Sequence, residues 1–236
     1  MTLRDACARI ITAVVSAVVV VAAVIGHSPT PGRYELVNRG SVDNHVAVIG
    51  DSYTTGTDHG GRGPTSWTAQ AWHMLAAEGV KVDADVVAED GAGYGVRGNR
   101  GNVFEDLTVK AVKRDDVLVV FFGSRNDQPV DQTKYTVMVG ETFQIARRVA
   151  PSARFLVIGP PWPTANPSAD VLALRDSLRN QAVAVGAVFI DPLAEGWFVG
   201  RPDLIGIDGV HPNDAGHAYL AAKIAPLIRN QLTIPV

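Results

Sequence analysis

Apolar positions along this chain follow two rhythms, and the rhythms alternate. Residues 45–49 (HVAVI) form a short apolar run that stops at Gly50. Residues 66–78 (SWTAQAWHMLAAE) repeat apolar positions at helical spacing, with Ser66 as a cap and Gly79 as a stop. Residues 80–88 alternate and then turn apolar, which predicts a second strand. The run at 117–122 (VLVVFF) is unbroken and suits a central strand covered on both faces. Residues 131–149 read as a helix, 154–158 as a strand closed by Gly159-Pro160-Pro161, 168–185 as a helix, 187–190 as a strand and 214–232 as the last helix. Strands alternating with helices predict a three-layer α/β/α fold, a mostly parallel sheet of about five strands with helices on both faces. Ligands of such sheets bind beyond the carboxyl ends of the strands. Ser52, the turn at 91–93 and Asn126 each follow a predicted strand, so the sheet alone gathers them on one rim.

Composition narrows the function classes. With 47% hydrophobic and 19% charged residues, a sizeable core is expected and disorder is not. A net charge of −3 and the absence of any basic block give nucleic acid no footing. Cys7, the single cysteine, precedes the apolar run at 10–25, so it is not placed as a lipid acceptor. It offers neither an intrachain disulfide nor a thiolate zinc site. Arg4 and Arg9 ahead of that run read as an export signal. Sixteen helical residues reach about 24 Å, short of the roughly 30 Å hydrocarbon core. The expectation is a signal peptide or membrane anchor over 1–30, a tether over 31–43 and one catalytic domain over 44–236. The protein is then exported, secreted or held at the cell envelope, and meets a membrane only through its N-terminal segment.

Three segments carry chemistry: GDSY at 50–53, GSRND at 123–127 and DGVHPN at 208–213. A serine hydroxyl is a poor nucleophile until a base takes its proton. Asp208 stands three residues before His211 in a loop. That spacing lets the carboxylate hold one ring nitrogen while the other faces outward as a base. Asn126 after the central strand supplies an amide that can donate to a developing oxyanion. Thr54 stands where a G-x-S-x-G elbow needs its second glycine, which excludes that hydrolase pattern. The glycines of GAGYG at 91–95 allow close backbone approach, and no phosphate-loop pattern surrounds them. His217, three residues after Asp214, is placed for a structural role in the last helix.

The three segments, in this order, resemble the SGNH/GDSL hydrolase superfamily from about residue 44 to the end. The resemblance implies a flavodoxin-like sheet and serine esterase chemistry. Ser52 would be the nucleophile, His211 the base and Asp208 its orienting partner. The oxyanion would meet the amide of Ser52, the Asn126 side chain and a glycine amide, Gly93 by the better match and Gly91 otherwise. Arg125 is an extra residue relative to the family's G-x-N-D, and Tyr53 replaces its usual leucine. No metal or organic cofactor is required. Tyr53, Trp162 and Trp197 are candidate substrate walls. The expected substrates are carboxylic esters of short or medium acyl groups, such as acetyl esters of envelope glycans or lipids. Transfer of the acyl group to a sugar hydroxyl is the alternative reaction. Two other readings use the same residues: a metal site from Asp51, Asp58, His59, Asp208 and His211, and a non-catalytic envelope-binding domain.

Overall fold

Five parallel strands run through the centre of the molecule: β1 (Asn44–Gly50), β2 (Val82–Ala88), β3 (Leu118–Phe122), β4 (Arg154–Ile158) and β5 (Val188–Ile190). The computed structural model describes residues 43–123 and 125–233. The segments read as an export signal at 1–30 and, apart from Asp43, a tether at 31–43 lie outside the described residues. Strand order is β2-β1-β3-β4-β5, the flavodoxin-like arrangement that the resemblance implies.

Side-chain alternation sorts the core into two layers. Val46, Val48, Leu118, Val120 and Phe122 face α2 (Trp67–Ala77) and α6 (Asp214–Thr233), where they meet Ala71, Leu75, Leu220 and Ile224. Ala47, Ile49, Val119 and Phe121 point the other way. They pack on α3 (Phe104–Ala111), α4 (Gln132–Val149) and α5 (Ala169–Ala184) through Leu107, Val139 and Leu178. All five residues of β3 are buried, as an unbroken apolar run requires. Side-chain caps set three helix starts. Ser66 accepts from the Ala69 amide, Asp131 from those of Thr133 and Lys134, and Ser168 from that of Val171.

Two elements depart from the sequence reading. β2 begins at Val82 and not at 80, because Gly79 turns left-handed (φ 79°) and the Val80 amide donates back to the Leu75 carbonyl at 2.9 Å. Residues 79–80 thus close α2. α3 went unpredicted. It has eight residues and no capping side chain at Val103, whose amide is instead accepted by Asp106 at 3.1 Å.

His217 is fully buried in α6 and its Nδ1 accepts the Trp67 amide at 3.3 Å, which ties the start of α2 to α6. Burial pushes its pKa down to about 4, against the pull of Asp214. A histidine held neutral in the fold but free to charge when unfolded contributes stability above pH 6.5. That stability is lost as pH falls toward 4. The stability advantage of the protein over His217→Gln, which cannot titrate, should therefore shrink by up to about 3 kcal/mol between pH 6.5 and 4. Urea unfolding at both pH values measures it; a constant difference would show that His217 is not held neutral.

Candidate active site

The end of β1 builds the first part of the site. A side chain at Gly50 would meet Thr54 Oγ1 at 2.3 Å, so the tight turn into α1 (Ser52–Thr55) needs glycine. Asp51 caps this single turn by accepting the Tyr53 amide at 2.9 Å. Capping by Asp51 leaves the Ser52 hydroxyl free of that duty. Its Oγ lies 3.0 Å from His211 Nε2. His211 Nδ1 in turn lies 2.6 Å from Asp208 Oδ2.

The loop carrying these two residues is held by its own backbone. Asp208 Oδ1 accepts the amides of Val210 (2.9 Å) and His211 (3.0 Å), Gly209 turns left-handed between them, and the Gly206 amide donates to the His211 carbonyl at 2.7 Å. Burial works against a charge on Asp208. The His211 ring and the two amides outweigh it and hold the carboxyl well below the usual carboxylate range. Nδ1 of His211 therefore carries the proton, and Nε2 faces Ser52 as an acceptor.

Asn126 sits in the 3₁₀ turn Arg125–Asp127 after β3, on the same rim. Its Nδ2 donates to the Ala92 carbonyl at 2.9 Å and approaches Asp51 Oδ2 only at 3.4 Å. Asp127 is fully buried and accepts the amides of Tyr94, Gly95 and Val96, which binds the loop after β2 to the loop after β3. The inserted Arg125 lies over the Trp162 ring at 4.8 Å and reaches the Tyr53 hydroxyl at 3.3 Å.

The two candidate glycines differ in their surroundings. The Gly93 amide already donates to the Val96 carbonyl at 2.9 Å, and a Cβ at Gly93 would meet the Asp127 carboxylate at 2.4 Å. Gly91 lines a cavity of about 480 Å³ together with Ser52, Asn126 and His211. Gly93 packs on Asp127 and its amide is engaged, while Gly91 is the one of the two that lines the cavity.

Of the three aromatic candidates for substrate walls, Tyr53 and Trp197 are buried in the core. Tyr53 is buried against Phe122 and Phe198, and its hydroxyl donates to the Val210 carbonyl at 2.5 Å, so it braces the His211 loop from below. Burial pushes its pKa up to about 12, against the pull of Arg125, so the hydroxyl keeps its proton. Trp197 lies in the core beside Phe198, its Nε1 donating to Glu195 at 2.7 Å. Trp162 stacks on Arg125 outside the cavity. The cavity is lined by the polar residues Thr57, Asp90, Arg97 and Asn99, none of which the sequence reading named as a substrate wall. Their signal was position alone, since three of them belong to the same post-β2 loop as Gly91. An adjoining hollow of about 220 Å³ shares Asp90 and Asn99 and adds Arg62 and Arg100.

The five residues weighed as metal ligands do not converge. Asp51 caps α1, Asp58 pairs with Arg62 at 2.8 Å, and only His59, Asp208 and His211 come near one another. Among the described residues no histidine, cysteine or carboxylate cluster is spaced to hold a metal ion.

Fold and rim together mark out an ester-hydrolysing enzyme of the SGNH class, in which a doubly covered parallel sheet presents serine and asparagine from separate strand ends and the loop before the last helix brings the histidine to them. The chain belongs to the GDSL-like lipase/acylhydrolase family, whose model matches residues 48–219. A GDSL lipase of Mycobacterium tuberculosis is 58% identical over 224 residues, 94% of this chain and 97% of the relative. Among solved structures, TesA superposes with a TM-score of 0.64 at 20% identity, over 80% of this chain and 99% of its own. A family two carbohydrate esterase from Clostridium thermocellum, in complex with cellohexaose, gives 0.63 at 19% identity, over 80% of this chain and 64% of its own.

Proposed function

We propose that the protein is an exported serine esterase that cleaves short-acyl esters of polar alcohols through an acyl group carried on Ser52. The observation behind this reading is the hydrogen-bond line from Asp208 Oδ2 through His211 to Ser52 Oγ, which opens into a cavity walled by polar side chains. Ser52 Oγ attacks the ester carbonyl as His211 Nε2 takes its proton. The tetrahedral oxyanion is met by the amides of Ser52 and Gly91 and by the Asn126 side chain. Asn126 Nδ2 donates to the Ala92 carbonyl at 2.9 Å and more loosely to Asp51 Oδ2 at 3.4 Å, and the second, longer bond is the one an oxyanion would replace. Collapse breaks the bond to the alcohol, which leaves with the proton from His211. Water then repeats the sequence on the acyl-serine, with His211 again as base.

Substrate class follows from the wall. Thr57, Asp90, Arg97 and Asn99 offer hydrogen-bonding partners to a sugar or another polyol. Lipase, as the Mycobacterium tuberculosis relative is named, would instead suggest lipid esters. Aryl esters from acetyl to palmitoyl, assayed on the full chain with and without sugar acceptors, separate the two. The highest kcat/KM is expected at acetyl to butyryl; a maximum at ten carbons or more would overturn the polar-substrate reading. Export rests on Arg4, Arg9 and the apolar run 10–25.

A further inference from the structure

A second histidine touches the same carboxylate as the proposed base. His59 Nε2 lies 3.3 Å from Asp208 Oδ2, the oxygen that also holds His211 Nδ1 at 2.6 Å. The two rings are close to parallel, 13° apart with centroids at 6.4 Å. All three side chains are a little over one quarter exposed, so the cluster sits at the rim and not in bulk water.

His59 is delivered there by a built turn. The Thr57 amide donates to Gly60 at 2.8 Å, the Gly60 amide returns to Thr57 at 3.2 Å, and the His59 amide is accepted by Thr57 Oγ1 at 3.2 Å. Gly60 adopts φ 151° where its backbone meets the start of α6, and a Cβ there would strike the Asp214 amide at 2.3 Å. Opposite, Gly206 leaves room for the ring: a Cβ at Gly206 would fall 2.6 Å from His59 Cβ. Two glycines thus keep open the space that lets His59 reach Asp208.

We infer that His59 is a positioning residue for the base: its Nε2, 3.3 Å from Asp208 Oδ2, gives that oxygen a second N–H partner while its ring lies parallel to His211, so the carboxylate is approached from two sides and the His211 ring is held toward Ser52. The inference rests on the acyl-Ser52 reading. A carboxylate oxygen has room for two in-plane donors, and a second donor draws negative charge away from His211. The charged and titratable groups around His59 are Asp208 and His211 in the loop before α6, Asp58 and Arg62 on its own loop, and Asp214, which accepts the Gly61 amide.

Three substitutions separate this role from packing. His59→Phe keeps the ring and loses the donor, His59→Gln keeps a donor and loses the ring, and His59→Ala loses both. Loss of one hydrogen bond to a charged group is expected to lower kcat by about 10- to 100-fold in the Ala and Phe proteins, with KM nearly unchanged. The Gln protein should recover most of that loss. The acid limb of kcat/KM should move to higher pH in the Ala and Phe proteins, because Asp208 then directs its full charge at His211. Full activity in His59→Phe, or equal losses in Gln and Ala with an unmoved pH profile, would overturn the inference. Fluorophosphonate labelling of the same preparations keeps the two readings apart. An unmodified protein that turns over ester without labelling at Ser52 would overturn the acyl-serine reading itself.

Discussion

Ser52→Ala is expected to lose ester turnover by about 10⁵- to 10⁶-fold, the scale seen when the nucleophile of such a relay is removed. Its fold should be untouched. Asp51, and not Ser52, caps the turn after β1, and the Ser52 hydroxyl has His211 Nε2 as its side-chain partner at 3.0 Å. Removing one rim hydroxyl therefore costs little stability while deleting the atom proposed to carry the acyl group. Initial rates on a short-chain aryl ester, a thermal unfolding curve and fluorophosphonate labelling with peptide mapping check the three parts. Mapping should find Ser52 in the unmodified protein and nothing in the variant. Labelling at Ser66 or Ser124, or an active Ser52→Ala protein, would move the nucleophile elsewhere.

Asp208→Asn should cost about 10⁴-fold in kcat, for a reason specific to this loop. Oδ1 accepts two backbone amides, from Val210 and His211, so the oxygen of an asparagine must occupy that place. Its NH₂ is then forced onto the Oδ2 position, facing His211 Nδ1. The ring must accept there and carry its proton on Nε2, where it can no longer take one from Ser52. The carboxyl of Asp208 is held well below its ordinary range, chiefly by the His211 ring and the two amides against the cost of burial. A depressed carboxylate contributes stability above its unfolded pKa, and that contribution is lost as pH falls through the depressed value. Asp208→Asn should accordingly be the less stable protein at neutral pH, with the gap closing only in strong acid. Denaturant titrations at neutral and strongly acid pH, beside steady-state kinetics, test both halves; a variant with wild-type kcat would remove Asp208 from the mechanism.

Local patterns made most of this readable without coordinates. Ser52 and Asn126 follow apolar strands, and the sheet order brings those strand ends together whatever the loops do. Asp208 and His211 are three residues apart, so their contact is local. What was not legible depended on packing between distant segments. An amide's direction inside GAGYG is decided by its hydrogen-bond partner, and Val96 takes that of Gly93. Tyr53 and Trp197 stand beside motifs in sequence but are absorbed by the layer under α6. α3 is short and begins without a capping side chain, so it left little trace beyond Phe104, Leu107 and Ala111 at helical spacing. His59 was weighed as a ligand because of its type; its partner lies in a loop near the other end of the chain.

The three amides gathered on Asp127 define what an engineer can change. Tyr94, Gly95 and Val96 are gripped by their backbone, not by side-chain chemistry, and Gly93 is fixed because any side chain there would collide with the carboxylate. A loop swap into this enzyme must therefore bring its own Gly–Asp pairing or keep this one. Arg97 and Asn99 lie just beyond the last gripped amide, in the cavity wall. Libraries confined to those two positions alter the cavity wall and leave the loop held by Asp127 in place, whereas libraries that include Gly93 or Asp127 should return mostly inactive clones.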